Sequence, residues 1–245
     1  MAGDWHGNSS WAHRVIRALP ELLPEESPRL VLHCGDFGVW PGGEKFLRKV
    51  DRALAEVDGV LGFVDGNHED FSALHAAPRF EGKGAVRERI WHLRRGHRWT
   101  WHGRTWLALG GAVSLDRSFR VQGRNWWADE EITRAEAAEI GAAGPAEVMV
   151  THDCPASVEH VFRPLPPWLS GRDLADGVAH RALLQDVVDE VRPSHLMHGH
   201  LHRAYRRTVP MAHGPVEVTG LESDGARTGN WAVLDVRTMH WADGT

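Results

Sequence analysis

Apolar residues along this chain recur with two periods, and the switches between them mark its elements. Asn8, Ser9 or Ser10 can cap a helix in which Trp11, Val15, Ile16 and Leu19 form one stripe, and Pro20 is expected to stop it. Leu30 to Cys34 reads as a short buried strand ending in Gly35-Asp36-Phe37-Gly38. Phe46, Leu47, Val50, Leu54 and Val57 return to helical spacing, and Gly59 to Val64 is a second strand running into Asp65-Gly66-Asn67-His68-Glu69. This strand-helix-strand rhythm predicts a parallel sheet. From about Arg89 to Leu109 the period becomes two, with a hairpin turn at His102-Gly103-Arg104, which predicts antiparallel strands. A Gly- and Arg-rich loop from Gly110 to Arg124 precedes a helix expected from about Asp129 to Ile140, and Val148 to Thr151 is a strand delivering His152. A proline-rich loop, Pro164 to Pro167, leads to a helix carrying Leu183, Leu184, Val187, Val188 and Val191. Val216 to Leu221 and Trp231 to Val236 alternate as further strands.

Composition narrows the class without naming a chemistry. With 245 residues, 42% hydrophobic and 25% charged, the chain is expected to form one α/β domain with a sizeable core. It holds no apolar run of about 18 residues and no secretory leader pattern, so a cytoplasmic protein without a membrane segment is expected. Cys34 and Cys154 are too few for a disulfide framework and match no zinc or redox spacing. The net charge of −5 is uneven: Arg79 to Arg124 holds ten Arg and one Lys against Glu81, Glu88 and Asp116, a net of +8. The 17 His and 12 Trp are the other biases.

Chemistry enters with five polar clusters, each expected to sit immediately after a strand: Asp4-x-His6, Gly35-Asp36, Gly66-Asn67-His68-Glu69, Thr151-His152-Asp153 and Gly199-His200-Leu201-His202. The first is preceded by only three residues, so its strand is either truncated or begins upstream of Met1. In open α/β sheets ligands bind at the carboxyl ends of strands, so such clusters can converge. In an extended segment residues i and i+2 share a face, so Asp4 with His6 and His200 with His202 are each expected to offer two donors to one side. Carboxylate, imidazole and amide donors suit Mn, Fe or Zn better than a thiolate-loving metal. Two such metals about 3.5–4 Å apart can activate a bridging water and stabilise both oxygens of a phosphoryl displacement.

In order and identity these five clusters resemble the motifs of the calcineurin-like metallophosphoesterase family: D-x-H, G-D, G-N-H-E/D, a lone H and G-H-x-H, spread over positions 4 to 202. The resemblance implies two mixed β-sheets sandwiched between helices in a four-layer α/β/β/α fold. It also implies a metal-dependent phosphoric ester hydrolase, using a hydroxide that bridges two divalent metal ions, with Mn the first choice and Fe or Zn the alternatives. Carried over by match, Asp4, His6 and His202 hold one metal, Asp36 bridges, and Asn67, His152 and His200 complete the second site. His68 is then the catalytic residue that contacts the scissile phosphate and protonates the leaving oxygen, and Glu69 supports the site from behind.

Specificity is expected from about residues 79 to 145, where the simple alternation lapses. Arg117, Arg120 and Arg124 on one loop suit phosphate contacts, and Trp126 can line the mouth of the site. Trp91, Trp99, Trp101 and Trp106 read as packing residues. The substrate is a phosphomonoester or phosphodiester borne by a small molecule, a nucleotide or a phosphoprotein. Two other readings stand beside this one. A nucleic-acid phosphodiesterase would use the basic, Trp-containing hairpin as its groove, but the acidic net charge disfavours it. A non-catalytic module on the same fold would have lost ligands, and none is missing.

Overall fold

The structure, a computed structural model, describes residues 1–161 and 169–242. The Pro164 to Pro167 loop lies outside them. Strands β1 (Arg29–His33) and β2 (Gly59–Phe63), the short pair β3 (Arg79–Phe80) and β4 (Lys83–Ala85), and β5 (Ile90–Leu93) form one sheet in the order β1-β2-β5-β4-β3. Strands β6 (Arg98–Trp101), β7 (Arg104–Leu109), β8 (Val148–Thr151), β9 (His195–His198), β10 (Tyr205–Met211) and β11 (Gly214–Gly220) form a second, in the order β10-β11-β9-β8-β7-β6. Both are mixed: β1, β2 and β5 run parallel, as do β7, β8, β9 and β11, while the outer strands run antiparallel. A small ribbon, β12 (Leu234–Asp235) with β13 (His240–Trp241), completes the strands.

Side-chain alternation explains why the two sheets stack. In the second sheet Leu107, Leu109, Met149 and Leu196 face the core shared with helices α4 (Arg134–Ala142) and α5 (Gly171–Val191). Their neighbours Trp106, Ala108, Val148, Val150 and Met197 point the other way, onto Leu32, Cys34, Val64 and Leu93 of the first sheet and its loops. The opposite face of that first sheet presents Val31, Leu61, Phe63 and Ile90 to α1 (Ser9–Leu22), α2 (Glu44–Glu56) and α3 (Phe71–Ala76). Strands covered on both faces read as continuous apolar runs, as β7 and β8 do. The result is the expected α/β/β/α sandwich.

Trp106 lies buried between the sheets with Trp99 stacked on it at 5.8 Å and Trp101 edge-on at 5.2 Å, so the Trp-rich hairpin is packing. Most of the +8 segment is likewise turned inward. Arg98 donates to the carbonyls of Ile140 in the last turn of α4 and of Gly144 and Pro145 beyond it, Arg104 to that of Arg237, and Arg87 and Arg89 pair with Glu44 and Asp58.

Several expectations are corrected. Pro20 lies inside α1, which runs on to Leu22. Proline removes only one donor there, within the last turn, so the helix survives it. The alternating stretch after Arg89 divides between the sheets: β6 and β7 form the expected antiparallel hairpin, but β5 pairs in parallel with β2. The helix expected from Asp129 begins at Arg134 instead, behind a capping box between Thr133 and Glu136, and Ala128–Glu130 is a short 3-10 turn. Trp231 to Val236 yields only the two-residue β12.

Ahead of the first cluster, Ala2 pairs with the first sheet. Ala2 bridges in parallel to His33 and antiparallel to Trp231. The Met1 amine donates to Ala232, the Asn230 amide donates to Gly3 and accepts from the Trp11 indole, and Asp224 N–H donates to the Asp4 carbonyl. The Asn8 amide reaches the Asp224 carboxylate at 2.7 Å. The first polar cluster is thus braced by residues 224–232.

Candidate metal centre

The five clusters converge where β1, β2, β8 and β9 end, on the rim shared by both sheets. Asp4, His6, Asp36, His200 and His202 have φ of 51°, 43°, 51°, 62° and 48°. Left-handed backbone is costly for non-glycine residues and concentrates at functional sites. Asp4 and His6 do converge, with His202, but through left-handed turns rather than along the extended segment expected, whereas the His200 ring turns to His152 instead of sharing a side with His202. Two motif glycines make the closeness feasible. A Cβ on Gly66 would lie 2.1 Å from Asp36 Oδ1, and one on Gly199 2.2 Å from Asp4 Oδ2.

Donor atoms then face each other in pairs. His6 Nε2 lies 3.1 Å from His202 Nε2, and His202 Nε2 lies 3.5 Å from Asp4 Oδ1. On the other side His152 Nε2 is 3.1 Å from Asn67 Oδ1 and 3.5 Å from Asp36 Oδ1, with the His200 ring 4.9 Å from that of His152. Asp36 reaches both sides, its Oδ2 being 3.9 Å from His6 Nδ1 and 3.8 Å from His68 Nε2. Asp4, His6 and His202, then His6, Asp36 and His68, then Asp4, Asp36 and His152 each bring three donor atoms within 4.8 Å of one another.

A cation fits this set. His152 Nδ1 donates to the Cys34 carbonyl at 2.7 Å, which leaves Nε2 of the neutral ring with a lone pair aimed at the Asn67 oxygen. Two acceptors at that distance need a positive charge between them. Two ligands bound about 2.1 Å from one ion at a right angle lie about 3 Å apart, close to the separation of both donor pairs.

Without metal, protons take up part of that role. Burial disfavours charge on His152, but Asp36 overrides it and carries the pKa up to about 10. Burial likewise works against the Asp36 carboxylate, and His152 and His68 hold its pKa well below the usual range. Burial lowers His200 to about 4, which keeps its ring a neutral donor. His68 is pulled below its ordinary value by burial, against Asp36 and with the help of the Arg120 cation.

Glu69 anchors the turn that carries Asp36, accepting the N–H groups of Phe37, Gly38 and Val39 at 2.7, 3.3 and 2.8 Å. Of the three loop arginines, Arg120 reaches the centre, with Nη1 2.9 Å from His68 Nδ1 and Nη2 3.0 Å from His68 Nε2. A neutral imidazole has one lone pair, so one of these contacts at a time is a hydrogen bond. Asp116 holds the same guanidinium through Nε and Nη2. Arg117 is engaged by Glu131, Asp173 and Asp176, and its guanidinium sits 5.8 Å from the ring of Trp126. Arg124 is exposed on the same loop.

The sequence reading did not single out Ser114, Glu130, Asp65 or Arg95. Asn67 Nδ2 donates to Ser114 Oγ, and both Ser114 donors reach Glu130. Burial raises Glu130 to about 7 against those two hydrogen bonds. Asp65 accepts two hydrogen bonds from Arg95 and one contact from His92. The one local hint was Gly110-Gly111 directly after a strand, where backbone must pass close to a neighbour.

Paired oxygen and nitrogen donors at the strand ends of a four-layer α/β/β/α sandwich define a metal-dependent hydrolase. The chain belongs to the calcineurin-like phosphoesterase family, whose model matches residues 1–204. A Thermus thermophilus protein of known structure, TT1561, superposes with a TM-score of 0.58 at 13% identity, over 98% of this chain and 95% of that one, and so shares the fold. A phosphopantetheinyl hydrolase of Mycobacterium tuberculosis matches at 16% identity and a TM-score of 0.45, over 91% and 88% of the two chains. No curated protein matches. Among the described residues, no helix is long and apolar enough to cross a membrane.

Proposed function

We propose that this phosphoesterase works through two divalent cations, hydrolysing a phosphomonoester or phosphodiester of a small molecule, nucleotide or phosphoprotein. Asp4, His6 and His202 hold one ion, Asn67, His152 and His200 the other, and Asp36 serves both. Mn is the first choice and Fe or Zn the alternatives, on the mixed carboxylate, imidazole and amide donors. The observation that carries this reading is the pair of donor contacts, each at 3.1 Å, on either side of Asp36. Bound there, the ions would acidify a water for attack and neutralise phosphoryl oxygens.

The chain's own groups do the rest. Arg120 donates to the lone pair of His68 and holds its ring beside Asp36, and His68 would meet the leaving oxygen once substrate draws the guanidinium away. The same guanidinium, held by Asp116 and by the Asn125 carbonyl, would turn an N–H from His68 to a phosphate oxygen. Arg124 extends positive charge outward along the substrate's path. Arg117 serves that path by fixing the loop against α5, with the Trp126 ring beside its guanidinium. Of the 79–145 segment, the part that sets specificity is thereby the loop from Gly110 to Glu130, since β3 to β7 are spent on the sheets. The nucleic-acid reading is weakened, because Trp99, Trp101 and Trp106 pack on one another and Arg98 and Arg104 donate to backbone carbonyls.

The test is hydrolysis of p-nitrophenyl phosphate and bis-p-nitrophenyl phosphate, with and without Mn²⁺, beside Asp36→Ala. Metal-dependent turnover falling on the order of a thousandfold or more in the variant is expected, because Asp36 serves both ions. Equal turnover in the two proteins would overturn the reading.

A further inference from the structure

Asn67 is the one proposed ligand whose two ends are chemically opposite. Its Oδ1 can hold a cation and its Nδ2 cannot, yet the amide is nearly symmetric in shape, so its surroundings must choose the orientation. Nδ2 donates to Ser114 Oγ at 3.0 Å. A hydroxyl can equally donate, and a Ser114 proton turned toward Asn67 would draw the amide oxygen away from His152. That proton is committed elsewhere: Ser114 Oγ donates to Glu130 Oε2 at 2.7 Å, and Ser114 N–H donates to Glu130 Oε1 at 2.7 Å. Glu130 is fully buried, and above its raised pKa of about 7 its ionised carboxylate can only accept. The hydrogen bonds therefore run one way, from Asn67 through Ser114 to Glu130.

The backbone around Glu130 is tied to the loop that carries Asn67. Arg95 donates to the carbonyls of Asp129, Glu130 and Glu131, and the same guanidinium grips Asp65, two residues before Asn67. Gly111 N–H donates to the Asp65 carbonyl and Ala112 N–H to that of Glu130. The distance between Glu130 and Asn67 is thus fixed from both sides, and none of Asp65, Arg95, Ser114 and Glu130 belongs to the five clusters.

We propose that Glu130, acting through Ser114, is a positioning residue that holds the Asn67 amide with its oxygen toward His152. This rests on the two-cation reading above. Glu130→Gln is isosteric but can donate from Nε2 to Ser114 Oγ, which sends the Ser114 proton toward Asn67 and reverses the chain. Ser114→Ala removes the acceptor altogether, while Ser114→Thr keeps it. Partners that orient metal ligands typically control tenfold to a hundredfold in affinity.

The experiment is calorimetric titration of the full chain with Mn²⁺ at pH 8, with circular dichroism as the check on folding. Wild type and Ser114→Thr are expected to bind two ions, whereas Ser114→Ala and Glu130→Gln keep one site and bind the second at least tenfold more weakly. In an Asn67→Asp background both ends of the side chain are oxygens, so Ser114→Ala is expected to cost less than twofold. Unchanged affinities in Ser114→Ala and Glu130→Gln, an undiminished Ser114→Ala effect in the Asn67→Asp background, or equal loss of both sites together with the folded spectrum would each overturn the positioning role. Folded wild-type protein that binds no Mn²⁺ overturns the two-cation reading instead, and the positioning role falls with it.

Discussion

The two halves of the centre differ in what stands behind their donors. Around Asn67 and His152 each donor has a fixed partner: the Cys34 carbonyl for His152, and Ser114 with Glu130 for Asn67. The His152 side chain is 0% exposed. Around His6 and His202 the rings face each other at the surface, with side chains 22% and 43% exposed. The hydrogen bonds there lie in the backbone, where His200 N–H donates to both oxygens of Asp4 at 3.0 and 3.1 Å. One half is preorganised by side chains in a dry interior, and the other is shaped by strained backbone beside water. Buried polar networks rigidify when every member is satisfied and cost heavily when one is removed, so the halves are expected to respond differently to damage.

The largest response should come from behind the buried half. Arg95→Met leaves the Asp65 carboxylate fully buried with only His92 against it, and breaking a buried pair in this way costs about 3–5 kcal/mol. Urea denaturation of the metal-free protein measures this, and a loss under about 1 kcal/mol would show that the frame is not stiff. The same pair gives acid sensitivity. Burial would raise the pKa of Asp65, but Arg95 and His92 hold it far below the ordinary range. Its stabilisation is therefore complete above the unfolded value of about 3.9 and is lost as pH falls below that.

A smaller response separates the halves by protons. Since His152 carries a proton below about 10, an ion entering the buried half must displace it. Titrations in buffers of different ionisation enthalpy are expected to show about one proton released at pH 7.5, with affinity rising up to about tenfold per pH unit. His202, whose pKa is also raised but at an exposed position, should contribute less. Proton-independent binding would remove the distinction.

The smallest effect belongs to the open side. Arg120→Ala removes a charged hydrogen-bond donor from His68 and from the phosphate, worth about 1.5–3 kcal/mol, or roughly tenfold to a hundredfold in kcat/KM. Arg124→Ala should change it less than about threefold. If Arg124→Ala had the larger effect, the phosphate path would run along the outside of the loop.

Much of this architecture is legible in the chain's periods and strand-end clusters because both are local signals. The apolar runs of β1, β2 and β8 announce themselves, and each delivers its polar cluster within a few residues, whereas β9 holds only Leu196 and Met197 between two histidines. What could not be read is what distance in sequence conceals. Glu130 sits 63 positions from Asn67 and Ser114 sits 47, with no spacing rule joining them. The left-handed turns at Asp4, His6, His200 and His202 were hidden for another reason: Asp and His adopt them only because the surrounding contacts enforce it. Pro20 deceived because a helix tolerates a missing donor near its end better than at its middle.

The brace between Asp4 and residues 224–232 also sets an order in time. A chain emerging from the ribosome exposes its first donors at once, but the contacts that hold Gly3, Asp4 and Asn8 in place come from residues made more than 200 positions later. Contacts so far apart in sequence form late, after the loop between them has closed. A nascent chain that already carries all five clusters therefore still lacks the brace for its first one, and a fully set Asp4 waits for synthesis to pass Ala232.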